Sequence, residues 1–135
     1  ELTHNGIERR HECWVHRKGA APAHAGELTV VLGTRGSSSW VLRGTGRSHG
    51  LESVAHGAGR RMNRAEAVSK LRHKYKRSSL QRTRMGGRVV GKNTELLYEQ
   101  HPDAYKAVEP VVDSLVEAGL AERVARLEPA ITVKT

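Results

Sequence analysis

Short apolar runs, each closed by glycine or a polar turn, recur along the chain and predict an α+β fold of short strands with two or three helices. Residues 28–32 form a β-branched run that ends at Gly33, and residues 39–43 form a second run, so both predict strands. The serine-rich loop between them would then join two strands. Residues 89–90 predict a further short strand, and the loose alternation over residues 120–134 predicts one or two more.

The helix with the clearest signal in the sequence begins after Asn63. Asparagine is a favoured N-cap, and Glu66 three residues later completes a capping-box pattern. Apolar positions then continue at helical spacing to about Tyr75. The first 27 residues are rich in glycine, histidine and charge, and they predict mostly loop.

A second helix is predicted to begin at Pro102, because proline is favoured in the first turn of a helix. The apolar stripe of this helix comprises Tyr105, Val108, Val112, Leu115 and Val116. Pro110 would kink or split the helix, and Gly119 would end it at the C′ position.

The charge of the chain favours a polyanionic partner such as RNA or a nucleotide. Its 135 residues are enough for one domain with a modest core, and 23 Lys and Arg against 14 Asp and Glu give a net charge of +9. The excess is concentrated between Arg60 and Arg88, where Glu66 is the one acid among eleven Lys and Arg residues. Such a segment is typical of a nucleic-acid-binding face, and equally of a solvated helix surface.

A single cysteine, Cys13, excludes an internal disulfide and a multi-cysteine metal site, which favours a reducing, cytoplasmic location. We expect Cys13 to be a small buried residue. The sequence contains no apolar run long enough to span a membrane. It begins at Glu1 without an initiator methionine, so we expect an N-terminal part of the same polypeptide to precede it.

The strongest chemical signal is the sequence His56-Gly57-Ala58-Gly59-Arg60, called here the HGAGR turn. A neutral histidine carries a nucleophilic ring nitrogen, and glycines let backbone N–H groups approach a phosphate closely. The turn also precedes a predicted helix N-terminus, which favours anions. These residues predict a histidine that accepts a phosphoryl or nucleotidyl group, although most His-Gly-x-Gly strings are plain turns.

The HGAGR turn belongs to an ordered set of stretches that extends over nearly the whole chain. The others are His16-Arg17-Lys18-Gly19-Ala20, residues 33–40, Arg64, Ala104-Tyr105-Lys106 and Val133-Lys134. In this order and spacing they resemble the C-terminal part of the RtcB-type RNA ligases. The resemblance implies that residues 1–135 are the C-terminal fragment of a single ligase domain. Residues 14–23 and 87–90 most resemble the branch encoded beside a release-factor-like protein, which implies repair of cleaved RNA rather than tRNA splicing.

The resemblance implies a GTP- and manganese-dependent ligase that joins an RNA 3′-phosphate or 2′,3′-cyclic phosphate to a 5′-hydroxyl. The RNA partner would be a broken tRNA or rRNA. His56 matches the histidine that accepts GMP. The nucleotide-binding positions fall on Gly33, Thr34, Ser39, Gly57, Ala58, Gly59, Tyr105 and Lys134. Arg64 matches an arginine that binds an RNA phosphate, and Arg60 and Lys18 are placed for phosphates too.

The metal site is the least complete part of the resemblance. His4 matches a manganese-ligating histidine of the family, but manganese needs several donors, and the others lie upstream in the family. Cys13 does not match the family's metal cysteine. We therefore expect this chain alone to be inactive.

Two alternatives remain open from the residues. The first is a non-catalytic RNA-binding remnant of such a ligase, which would keep the basic face without the metal ligands. The second is an unrelated nucleotide-binding phosphotransfer domain, which would need only His56 and its glycine-rich turn. The second leaves Arg64, Tyr105 and Lys134 without a role.

Overall fold

A computed structural model of the protein describes residues 4–134, and across these residues nine short strands and three α-helices form an α+β fold, as predicted. The strands are β1 (Asn5–Arg10), β2 (Cys13–Lys18), β3 (Ala20–Pro22), β4 (Leu28–Val31), β5 (Ser39–Gly44), β6 (Ser53–Ala55), β7 (Arg88–Gly91), β8 (Ala121–Leu127) and β9 (Ile131–Lys134). The helices are α1 (Arg64–Lys74), α2 (Thr94–Glu99) and α3 (Glu109–Glu117). None of these helices has the length and apolar character needed to cross a membrane.

The strands of residues 4–134 pair in several small sheets instead of one large one. In the largest, β5 lies between β4 and β8, and all three are antiparallel. Antiparallel pairs also join β1 to β2 and β3 to β6, whereas β7 and β9 are parallel. The strands predicted at residues 28–32, 39–43, 89–90 and 120–134 are confirmed, the last region forming both β8 and β9.

The prediction of loop for the first 27 residues is wrong for most of that stretch, because β1, β2 and β3 lie in it. The inward side of the β1–β2 hairpin is charged, since buried Arg17 donates to Glu8 at 2.6 Å. Its outward side carries Ile7 and Trp14, which are 67% and 70% exposed. The inward side thus combines apolar Val15 with charged Glu8 and Arg17, and large apolar residues lie outside, so the hydrophobic alternation that marks a strand is absent.

Two hydrophobic clusters hold the elements together. The first joins β3, β4, β5 and β6 to α3, and comprises Ala21, Ala23, Val31, Leu42, Val54, Ala58, Val108, Val112, Leu115 and Ala121. The second joins α1 and α2 to β7, and comprises Ala67, Leu71, Leu80, Val89, Leu97, Tyr98 and Ala104. Burial of these side chains is the main stabilising contribution to each part of the fold.

Helix α1 begins and ends where the sequence predicts. The Asn63 side chain accepts a hydrogen bond from the backbone N–H of Glu66 at 2.9 Å, and the helix ends at Lys74. This cap directs the chain from the HGAGR turn into the helix.

The helix predicted from Pro102 begins later than expected. Pro102–Ala104 is a single 3-10 turn, and Tyr105 follows in extended backbone. Helix α3 begins at Glu109, with Pro110 in its first turn, where a missing N–H breaks no helical hydrogen bond. The predicted kink is therefore wrong, whereas Gly119 does follow the helix with a φ of +69°.

Two further features differ from the sequence analysis. Helix α2 was not expected; its six residues are too few to show a period, and its clearest signal is Asn93, whose side chain accepts from the Glu95 N–H at 2.8 Å. Cys13 is exposed at the start of β2, so the prediction that it is buried is wrong.

Candidate active site

A cavity of about 490 Å³ brings together most of the residues that the sequence predicts to bind a nucleotide. We call it the His56 cavity. Its size lies within the range of ordinary small-molecule sites. The predicted residues among its lining are Gly33, Thr34, His56, Gly57, Ala58, Gly59, Arg60, Tyr105 and Lys134. Ala58 belongs to the first hydrophobic cluster and Tyr105 packs against the second, so both parts of the fold contribute to the cavity.

The position of His56 fixes which of its ring nitrogens is free. Nδ1 lies 2.6 Å from the backbone oxygen of Gly19, which can only accept, so Nδ1 carries the proton. In the neutral ring the lone pair is then on Nε2. No described residue hydrogen-bonds this nitrogen. Gly19 itself lies in the loop between β2 and β3, with a φ of +70°.

His4 lies beside His56. The two rings stack with centroids 4.6 Å apart and planes at 18°, and the His4 backbone oxygen accepts from the Gly19 N–H at 2.9 Å. Residues 4–134 contain no group of three or more His, Cys, Asp or Glu placed to hold a metal ion. These residues alone therefore do not fit a manganese site, and the ligand role of His4 stays a prediction.

The HGAGR turn brings its backbone close to the end of β4. A Cβ added to Gly57 would lie 3.0 Å from the Leu32 oxygen, and Gly59 adopts a φ of +74° that favours glycine. Within the described chain, the N–H groups of Gly57 and Gly59 donate to no other residue. Such free N–H groups are the donors that a phosphate in the cavity needs.

The loop between β4 and β5 is held by its own hydroxyl groups. Ser39 Oγ accepts from the Gly33 N–H at 3.0 Å, and Ser37 Oγ accepts from the Thr34 N–H at 2.7 Å. A Cβ at Gly33 would lie 1.9 Å from the Ser38 oxygen, so only glycine fits there. Gly33 and Thr34 line the His56 cavity, whereas Ser39 does not: its hydroxyl is used to close the loop.

Arg60 and Tyr105 form a hydrogen-bonded network in the cavity wall. The Arg60 guanidinium donates to the Met62 oxygen at 3.0 Å, the Tyr105 hydroxyl at 2.8 Å and the Glu99 oxygen at 2.7 Å. It also lies over the Tyr105 ring at 4.7 Å, and the Tyr105 hydroxyl donates to Gln100. Each guanidinium nitrogen thus has a protein partner, so the contact of Arg60 with a phosphate stays a prediction that the geometry does not favour.

Arg64 is separate from the His56 cavity. It is the first residue of α1, its side chain is 78% exposed, and its Nε lies 3.1 Å from a Glu99 carboxylate oxygen. It borders a different, open cavity of about 780 Å³ between α1 and α2. Its predicted role at an RNA phosphate is compatible with that exposed position and remains a prediction.

Three polar residues that line the His56 cavity were not found from the sequence: Arg35, Gln100 and Thr132. Thr132 and Lys134 are two positions apart on β9, so the period of a strand was the signal that could have found Thr132. Arg35 is inside the predicted loop, where no periodic signal exists. Only 7% of its surface is exposed, and burial lowers the pKa of its guanidinium.

The whole chain is similar to one family of known proteins. The family described as "tRNA-splicing ligase RtcB" matches residues 1–135. The chain is 45% identical over 121 residues to the RNA-splicing ligase RtcB2 of Escherichia coli, covering 90% of this chain and 32% of that protein. It is 38% identical over 133 residues to the RNA-splicing ligase RtcB of Mycobacterium tuberculosis (89% and 30%).

A more distant relative is the tRNA-splicing ligase RtcB of Methanocaldococcus jannaschii, at 34% identity over 137 residues, covering 89% of this chain and 14% of that protein. The chain therefore spans about a third or less of the length of these relatives. With a match over its whole length, it belongs to the RtcB family of tRNA-splicing RNA ligases.

Proposed function

We propose that this chain carries the nucleotide-accepting part of an RNA ligase active site. The ligase would join an RNA 3′-phosphate or 2′,3′-cyclic phosphate to a 5′-hydroxyl through a histidine–GMP intermediate. The observation that carries the proposal is the geometry of His56 beside the cavity of about 490 Å³. Its Nδ1 donates to the Gly19 oxygen, and its Nε2 has no hydrogen-bond partner among residues 4–134.

His56 would act as the nucleophile through Nε2. As Nε2 bonds to the α-phosphorus of GTP, the bond from that phosphorus to pyrophosphate breaks, and the Nδ1 proton stays on its hydrogen bond to Gly19. The positive charge that develops on the imidazole is stabilised by this carbonyl. The free N–H groups of Gly57 and Gly59 are placed to receive charge on the phosphate oxygens.

The remaining residues of the cavity would bind the nucleotide. Thr34 lies on a loop that its own hydroxyl contacts hold in one shape, and Tyr105 is held by Arg60, so neither needs to be ordered on binding. Lys134 adds a cation at the cavity edge. GMP would then pass to the RNA 3′-phosphate, and attack by the 5′-hydroxyl would release it.

The ligase would depend on manganese. His4 would supply one ligand, and the other ligands would have to come from outside residues 4–134, which contain no sufficient cluster. We also propose broken tRNA or rRNA as the substrate, with repair as the role, and a cytoplasmic location.

The test is covalent labelling of the full-length protein with GTP radiolabelled at the α-phosphate, in the presence of manganese. We expect label on the wild type and on His49→Ala, a change at an exposed histidine outside the cavity, and none on His56→Ala. Arg64→Ala should keep the label and lose RNA joining. Persistent labelling of His56→Ala would contradict the proposal. An unlabelled wild type that still binds RNA would favour the non-catalytic RNA-binding alternative.

A further inference from the structure

Arg35 borders two cavities, and the second is strongly basic. This second cavity, which we call the Arg82 cavity, has a volume of about 290 Å³. Arg35, Arg82 and Arg84 contribute three guanidinium groups to its lining, and Ser79 and Thr83 contribute hydroxyls. Neither the resemblance nor the proposed function uses it.

The guanidinium of Arg35 is buried without a partner. The residue is 7% exposed, its Nη1 is fully buried, and no described residue hydrogen-bonds or ion-pairs with its side chain. A buried cation with no counter-charge is unfavourable, so proteins normally pair it with an anion. The missing partner is therefore expected to be an anionic ligand.

The other two arginines are exposed and have no ion-pair partner in the described chain. They are carried by a tight turn, in which the Thr83 N–H donates to the Gly87 oxygen at 2.9 Å and the Gly86 N–H donates to the Thr83 oxygen at 3.0 Å. This turn fixes Arg82 and Arg84 at the cavity without pairing either of them.

The acid of the cavity does not neutralise these arginines. Asp103 is the one carboxylate among the described lining residues, and it accepts from Lys74 and from the Tyr75 hydroxyl, both at 2.7 Å. His101 also lines the cavity, and its Nδ1 accepts from the Asp103 N–H at 3.2 Å, a bond that requires an unprotonated Nδ1. Three arginines thus line a cavity in which Asp103, the one carboxylate that the described residues supply, already accepts from two donors.

We propose that the Arg82 cavity binds a phosphodiester group of the RNA strand, with Arg35 as a fixed charge in its wall and Arg82 and Arg84 as phosphate contacts. The inference rests on the proposed function. The strand is favoured over a free nucleotide because the two contacts are solvent-exposed guanidinium groups outside the His56 cavity. Since Arg35 borders both cavities, a strand bound here would lead towards the His56 cavity.

The test compares Arg82→Gln/Arg84→Gln with Arg43→Gln/Arg47→Gln in the full-length protein. The control removes the same charge from two exposed arginines that border neither cavity. Affinity for a short single-stranded RNA with a 3′-phosphate is measured by fluorescence anisotropy over a series of KCl concentrations. GMP labelling of each variant is measured in parallel.

For Arg82→Gln/Arg84→Gln we expect about ten-fold weaker binding and a slope of log K against log salt that is shallower by about 1.4, or about 0.7 for each lost phosphate contact. Its GMP labelling should equal that of the control. Equal slopes for the two double variants would overturn the inference. A raised KM for GTP in labelling would also overturn it, because the cavity would then serve the nucleotide. If the wild type is not labelled with GMP, the proposed histidine chemistry is wrong. The salt dependence of RNA affinity still shows whether the Arg82 cavity binds the strand.

Discussion

Two arginines border the His56 cavity, and the regions that carry them hold them in opposite ways. Arg60 follows the HGAGR turn, and its guanidinium donates to Met62, Glu99 and Tyr105. Arg35 lies in the loop between β4 and β5, more deeply buried, and none of its donors has a partner in the described chain. The same side chain is thus a structural link in one region and an uncompensated charge in the other.

The hydrogen bonding of each guanidinium indicates whether it contributes to stability or is available to bind a ligand. A guanidinium whose donors are all used by protein acceptors stabilises the fold and has little left for a ligand. A buried guanidinium without acceptors costs stability, and the anion that could compensate it is a ligand. The two arginines look alike in the sequence, since each lies beside a glycine in a predicted loop: Arg35 precedes Gly36, and Arg60 follows Gly59.

The largest expected effect is on Arg60. Arg60→Met should lower the free energy of unfolding by about 3 kcal/mol, because three hydrogen bonds from a charged group are lost and two backbone oxygens lose a donor. Chemical denaturation of the full-length protein measures it, with exposed Arg43→Met as the control. A loss as small as that of the control would contradict the structural role of Arg60.

The second effect is on the pH dependence of stability. Burial lowers the pKa of His101 to about 4, against the opposing field of Asp103 and with help from the charge of Arg35. Because the folded pKa lies below the unfolded value of about 6.5, this contribution is complete above pH 6.5 and is lost as the pH falls towards 4. With allowance for partial exposure, the loss is about 2 kcal/mol.

His101→Asn tests this contribution, since asparagine keeps an acceptor for the Asp103 N–H and does not titrate in this range. Unfolding free energies measured between about pH 7 and pH 4.5 should fall less steeply for this variant than for the wild type. Titration of Asp103 does not contribute to this difference between about pH 7 and pH 4.5. Burial raises its pKa, but hydrogen bonds from Lys74 and Tyr75 outweigh burial and lower it to about 2. Equal pH dependence of the unfolding free energy in the two proteins would show that His101 does not contribute to it.

The smallest effect is expected at Arg35, and it has the opposite sign. Arg35→Met should leave the stability unchanged or raise it by about 1 kcal/mol, because a buried charge without a partner is replaced by an apolar chain of similar length. The pKa of His101, followed by NMR, should move back towards its ordinary value in this variant. Destabilisation as large as that of Arg60→Met would mean that the two arginines do not differ as described.

The sequence could predict the parts of this molecule in which local patterns agree with the fold. The Asn63 cap, the strands on either side of the serine-rich loop and the Gly119 stop are all local, and all are confirmed. The β1–β2 hairpin was missed because its inward positions include charged residues, and because the residues that pair with them, such as Glu52 with Arg10, are distant in sequence.

The sequence identified many residues of the candidate site but not the contacts that hold them in place. His56, the glycines around it and Lys134 could be named from their order along the chain, and they do line one cavity. Their partners could not be named, because the contacts of Gly19 with His56 and of Arg60 with Glu99 join residues 37 and 39 positions apart. For the same reason, nothing in the sequence distinguished Arg35 from Arg60.

The most direct test of the central claim is to identify the atom that carries GMP. The full-length protein, made with ¹⁵N-labelled histidine, would be reacted with GTP and examined by ¹⁵N and ³¹P NMR. We predict one phosphorus–nitrogen bond, at Nε2 of His56, with Nδ1 still protonated and donating to Gly19. A bond at Nδ1, or on another histidine, would contradict it.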